Sequence, residues 1–185
     1  DVAFAKFVRK NYMSWMGNPD RRPMMSNDLF RKRVFPLLDK GEKVFMIVFD
    51  NLRYDQWRML YREIAGIFSS DEELYFSILP TATQYARNAI FAGLMPLQIE
   101  EIFPGLWVDE SENEGKNLKE NELIATQLAR FRRKNSFSYS KVNDSQAADR
   151  LLAQFSQLER NDLNVLVVNF IDILSHARTE QKTVR

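Results

Sequence analysis

Hydrophobic residues recur along the chain with two different periods, and the switches between them mark the elements. Val2, Phe4, Ala5, Phe7, Val8, Tyr12 and Trp15 fall at roughly helical spacing, which predicts an opening helix that the turn Gly17-Asn18-Pro19-Asp20 ends. Ser26 can cap a second helix to Leu37, with Leu29, Phe30, Val34 and Leu37 on its inner side. After the Lys40-Gly41 turn, Val44–Phe49 (VFMIVF) is a continuous apolar run, the pattern of a central parallel strand buried on both faces. A helix is expected over Leu52–Ile67, and Leu74–Leu79 (LYFSIL) is a second strand candidate. Pro80-Thr81-Ala82-Thr83 reads as a loop, Gln84–Ala92 as a short helix stopped by Gly93, and Leu97–Phe103 as a further helical turn or two. The acidic stretch Trp107–Lys116 reads as an exposed loop, and Asn117–Lys134 as an amphipathic helix. Ser136–Val142 is a third strand, Asn143 or Asp144 can cap a helix to Arg160, and Leu163–Ile171 (LNVLVVNFI) is a fourth, buried strand.

Helices alternating with strands argue for a layered α/β domain with a mostly parallel sheet. The 185 residues suffice for one sizeable domain, or one with a small appendage. Residues 1–40 precede the first sheet strand and read as a helical linker segment.

Composition narrows the function classes. Lys and Arg total 26 against 25 Asp and Glu, so no strong field for nucleic acid or membrane is expected. The chain has no cysteine, which excludes a disulfide scaffold and thiolate metal sites and fits a reducing, cytoplasmic setting. No apolar run is long enough to insert in a membrane, and no signal-peptide pattern opens the chain. It begins at Asp1 and ends in the uncapped, helix-compatible stretch Ala177–Arg185, so it reads as a segment of a longer protein. With one histidine present, any imidazole chemistry must use His176.

In parallel α/β sheets, ligands bind beyond the carboxyl ends of the strands. Asp50 directly follows VFMIVF, Thr83 stands between the second strand candidate and a helix, and Asp172 follows the fourth strand with His176 four residues on. A helical D-x-x-x-H puts both side chains on one face, as a metal chelate needs. Thr83 at a helix start is a nucleophile candidate, because unpaired N–H groups and the helix dipole favour an anion there. Each position also has a plainer role. Asp50, Asp172 and Thr83 are all good helix caps, and His176 can be a helix-surface residue. The basic run Arg130–Lys134 reads as the cationic last turn of a helix, with nucleic-acid contact as its alternative.

Taken together, these residues resemble a known family. Pro80–Pro96 (PTATQYARNAIFAGLMP) is similar to the nucleophile segment of the alkaline phosphatase superfamily, whose nucleotide pyrophosphatase/phosphodiesterase branch reads P-T-x-T, a helix, then G-L-x-P. More closely, VFDNLRYDQW, the Pro80–Pro96 segment and NFIDILSHARTE, in that order, resemble the PglZ domain, in the response-regulator type tied to type IX secretion. The resemblance covers most of the chain. It implies a three-layer α/β/α alkaline-phosphatase-like domain, of which residues 41–185 would be the amino-terminal portion, continuing beyond residue 185. It makes Thr83 the nucleophile and implies two zinc ions, one held by Asp50 and Thr83, the other by Asp172 and His176. The superfamily completes these shells with further Asp and His residues, including a downstream Asp-His pair that this sequence lacks. Asn51, Arg53 and Arg87 lie near the motifs as candidate substrate contacts; for the two arginines an exposed helix-surface place is the alternative.

The resemblance thus implies a zinc-dependent phosphodiesterase. Thr83, its pKa lowered by zinc, would attack phosphorus, and the Thr83 phosphoester would then be hydrolysed. Oligonucleotides or cyclic nucleotides are the expected substrates, with monoesterase or mutase chemistry as close variants. The domain would be the effector of a two-component response regulator that forms homodimers. The rival expectation is a non-catalytic interaction module that contacts a sigma factor or secretion components.

Overall fold

The computed structural model describes residues 1–107 and 118–175. In chain order its helices and strands are α1 (Val2–Gly17), α2 (Phe35–Asp39), β1 (Val44–Phe49), α3 (Tyr54–Ile64), α4 (Thr83–Ala92), α5 (Pro96–Ile102), α6 (Glu120–Arg130), β2 (Phe137–Val142), α7 (Ser145–Ala153), α8 (Phe155–Leu158) and β3 (Leu163–Val168). The chain forms two compact units. One comprises Asp1–Phe30 with Glu73–Gln127, the other Arg31–Glu72 with Leu128–Arg185.

The second unit holds a three-stranded, wholly parallel sheet in the order β1-β3-β2, so the α/β class expected from the sequence is observed. Phe49 and Val142 both pair with Val168, which brings the three carboxyl ends to one row. The ladder continues one residue further, Asp50 N–H donating to Val168 O and Asn169 N–H to Val142 O, each at 3.0 Å.

The place of the central strand departs from expectation. VFMIVF forms β1, but β3 has a partner on each side and β1 has one among the described residues. Burial follows: Leu163 through Val167 are buried, whereas Ile47 and Phe49 of β1 are 49% and 38% exposed. An apolar run is compatible with burial on both faces, but neighbouring elements decide whether it receives it. Asn164 is the polar exception within β3. Its Nδ2 donates to Leu158 O at 2.9 Å, and its Oδ1 accepts from Ser138 Oγ at 2.6 Å and Asn161 Nδ2 at 3.3 Å. After β2, Asp144 caps α7 as expected, its Oδ1 accepting from Ala147 N–H at 2.7 Å. The single helix expected up to Arg160 instead breaks at Gln154 into α7 and α8.

In the first unit, LYFSIL is not a ladder strand. It makes one parallel bridge, Phe76 with Met25, and is otherwise held by hydroxyls: Ser26 Oγ accepts from Ile78 N–H at 3.2 Å and Tyr12 Oη from Leu79 N–H at 2.9 Å. The segment around Met25 turns away at Ser26–Asp28, so the bridge cannot extend. The same contact corrects the cap assigned to Ser26. Its hydroxyl serves Ile78, and Asp28 Oδ2 accepts from Met25 N–H instead. The regular helix expected to Leu37 is a 3₁₀ turn at Ser26–Asp28, a π-type turn at Phe30–Val34, and α2.

Helix α4 is buried along its length except at Thr83 and Tyr85. Gly93 ends it at φ 60°, as its sequence position predicts, since left-handed backbone suits a residue without Cβ. A Cβ there would lie 2.1 Å from Gln127 Nε2, so the close approach of Gln127, in α6, also requires glycine. Helix α6 is shorter than expected; residues 108–116 of the anticipated acidic loop, and Asn117 of the anticipated helix, lie outside the described residues. No described helix is long and apolar enough to cross a membrane.

Candidate active site

The aligned strand ends create the polar edge that the sequence anticipates. Asp50 leaves β1 half-buried, and Asn51 follows in left-handed backbone at φ 59°. Asn accepts that conformation better than most residues because its short polar side chain can compensate locally. Beyond β3 a helical turn covers 170–175, and Ile173 N–H donates to Asn169 O at 3.0 Å. Asp172 therefore lies in the first turn of that helix. Asn51 Nδ2 donates to Asp172 Oδ1 at 3.3 Å, so Asp50, Asn51 and Asp172 are gathered at one sheet edge.

None of Asp50, Asp172 and Thr83 stands at an N-cap position. Helix α3 starts at Tyr54, four residues after Asp50, and its entry is closed by Gln56 Oε1, which accepts from Arg53 N–H at 3.0 Å. Asn169, rather than Asp172, stands at the start of the helix over 170–175. At α4 the cap position belongs to Ala82, with Thr83 as the first helical residue.

Thr83 is half-buried and belongs to the other unit, with Arg87 one turn further along α4. Tyr85 and Ala86 N–H both donate to Ala82 O, while Thr83 and Gln84 N–H precede the first intrahelical bond. The helix dipole adds partial positive charge at that end. The surface place considered for Arg87 is corrected: the residue is 5% exposed, and its Nε donates to Glu120 Oε1, itself wholly buried. Burial of a guanidinium requires such a partner. Arg53 is exposed and binds Asp55 through two hydrogen bonds, at 3.0 and 2.8 Å. That pairing raises the Arg53 pKa and lowers the Asp55 carboxyl, the hydrogen bonds being the main cause. His176 lies outside the described residues.

Sequence reasoning passed over two neighbours. Asn143 and Asn169 are the first residues after β2 and β3, the offset at which Asp50 follows β1, and Asn169 Nδ2 donates to Asn143 Oδ1 at 3.0 Å. That shared offset was the available signal.

Among the described residues, no group of three or more His, Asp or Glu side chains is placed to hold a metal ion. The pair Asp50 and Asp172 nevertheless has the chemistry of part of a shell, since zinc accepts carboxylate oxygen and takes about four ligands. A family model, that of the BREX system PglZ alkaline phosphatase-like domain, matches residues 29–185. No curated protein matches the chain.

Proposed function

The chain belongs to the PglZ family of alkaline phosphatase-like domains, which points to a hydrolase acting on phosphoesters, and from that premise we propose a zinc-dependent phosphodiesterase with Thr83 as nucleophile. The observation that carries this reading is the gathering of Asp50 and Asp172 at the carboxyl edge of neighbouring parallel strands. Asp50, Thr83, Asp172 and His176 are the proposed metal ligands. Zinc, when bound, would supply Lewis acidity that lowers the pKa of a hydroxyl and offsets phosphoryl charge.

The rest falls to the chain's own side chains. Thr83 Oγ gives its proton to solvent and attacks phosphorus in line, forming the Oγ–P bond as the bond to the leaving alkoxide breaks; that alkoxide takes up a proton from solvent. Water then cleaves the Thr83 phosphoester, returning the hydroxyl and releasing the phosphate monoester. The Thr83 and Gln84 N–H groups and the α4 dipole favour the extra negative charge at phosphorus. Arg87, one turn away on the same face of α4, stays a candidate substrate contact, with its charge paired to Glu120. Arg53 stays a candidate contact to an outer phosphate. Oligonucleotides or cyclic nucleotides are the substrates proposed, from the likeness of Pro80–Thr83 to P-T-x-T. The same resemblance supports an effector role in a dimeric response regulator.

The test is zinc content and hydrolysis of bis-p-nitrophenyl phosphate by the full-length protein. About two zinc ions per chain are expected, as in-line displacement between paired metals requires. Turnover should fall by several orders of magnitude in Thr83→Ala, and zinc should fall in His176→Ala. A protein without zinc or turnover would be a binding module instead.

A further inference from the structure

The proposed reaction leaves the Asn51 side chain without a duty, yet its geometry is specific. Its left-handed backbone turns the chain immediately behind Asp50. An Asn in a turn commonly bonds its own nearby backbone. Here the amide instead reaches Asp172, 121 residues away, in the helix that follows the neighbouring strand. The contact links the two carboxylates of the edge, one by adjacency in the chain and one by a hydrogen bond.

We propose that Asn51 is a positioning residue that orients the Asp172 carboxylate for a divalent metal, and does not touch substrate. The inference rests on the reading of Asp172 as a metal ligand. An N–H donated to Oδ1 fixes the rotation of the carboxylate, and so the direction in which its remaining lone pairs point. The amide is neutral, so it orients Asp172 without cancelling the charge that attracts a cation. Hydrogen bonds that orient metal ligands are typically worth about 10–100-fold in metal affinity.

The experiment compares Asn51→Gly, Asn51→Asp and Asp172→Asn in the full-length protein. Gly keeps the left-handed backbone and deletes the amide, whereas Asp keeps the shape but replaces the donor with an acceptor. Zinc affinity is read by competition with a chromophoric chelator, alongside thermal unfolding of the apo protein and KM and kcat at saturating zinc. Asn51→Gly should weaken zinc about 10–100-fold, with apo thermal stability and KM close to those of the unsubstituted protein. If Asp172→Asn leaves zinc affinity unchanged, Asp172 is no ligand, and the inference falls with the reading beneath it. If Asp172→Asn weakens zinc but Asn51→Gly does not, the positioning role alone is refuted. A raised KM with unchanged zinc affinity would make Asn51 a substrate contact. Loss of apo stability in both Asn51 variants, in step with affinity, would reduce its role to a structural one.

Discussion

Strand β3 and helix α4 are each buried along nearly their whole length, one in each unit, and they meet burial differently. β3 does so with apolar side chains and a satisfied ladder; its polar exception, Asn164, is neutral and has three hydrogen bonds. Helix α4 buries Gln84, Arg87 and Asn88 among its apolar residues, and Arg87 carries a full charge. A buried Val or Leu stabilises by roughly 1.5–3 kcal/mol wherever it is covered. A buried charge is tolerable only with its partner in place, and for Arg87 that partner is Glu120. Apolar burial needs only some cover, which β3 receives and β1 receives in part, whereas ionic burial depends on a particular residue 33 positions away.

The largest expected effect tests that dependence. Glu120→Ala should cost about 3–5 kcal/mol in urea unfolding, because it takes a buried carboxylate away from the buried Arg87 guanidinium. Combining Arg87→Met with Glu120→Leu should recover most of the loss, since an apolar pair of similar volume removes the need for compensation. If the single and double variants were equally destabilised, the pair would matter for its shape rather than its charge.

A smaller effect belongs to the neutral counterpart. Asn164→Val should cost about 1–3 kcal/mol, the range for unpairing polar groups: the half-buried Ser138 hydroxyl loses its acceptor, and Leu158 O keeps only the Asn161 N–H. A loss as great as that of Glu120→Ala would erase the contrast between the two regions.

The smallest effect concerns an exposed charge at the start of the sheet. Asp162 Oδ2 accepts from Ser136 N–H at 2.9 Å, and Lys43 Nζ lies 3.3 Å from its Oδ1. The Ser136 N–H, then Lys43, hold its carboxyl below the usual aspartate range. Its folded pKa thus lies below the unfolded value of about 3.9, so its contribution is present above about pH 4. It is lost as pH falls through the depressed value. Thermal unfolding of Asp162→Asn should show a slightly lower midpoint at neutral pH and a gap to the unsubstituted protein that closes on acidification. A gap constant with pH would assign the loss to altered hydrogen bonding rather than to charge.

Much of the site was legible as positions and little of it as contacts. Asp50 stands where a strand end was expected, because an apolar run followed by a polar residue is a local signal. Thr83 begins a helix for the same reason, and Gly93 ends it. The fourth strand, expected to Ile171, stops at Val168, so Asp172 lies in the helix that follows it. The Asn51–Asp172 bond and the burial of Arg87 were not legible, because neither residue carries a local mark of its distant partner. Phe76 was misread for a related reason: LYFSIL has strand composition, but a ladder needs a neighbour that stays extended, and the chain turns away at Ser26.

By itself, the sequence determined the α/β class, the three observed strands, the Gly93 stop and the polar residues at the strand ends. All of these follow from periodicity, capping and turn chemistry acting over a few residues. Tertiary structure alone decided that β3 and not β1 is central, that Leu74–Leu79 makes one bridge, that Arg87 is buried against Glu120, and that Asn51 reaches Asp172. Each joins groups distant along the chain, and such pairings are selected by shared burial and hydrogen-bond satisfaction, which exist only once the chain has folded.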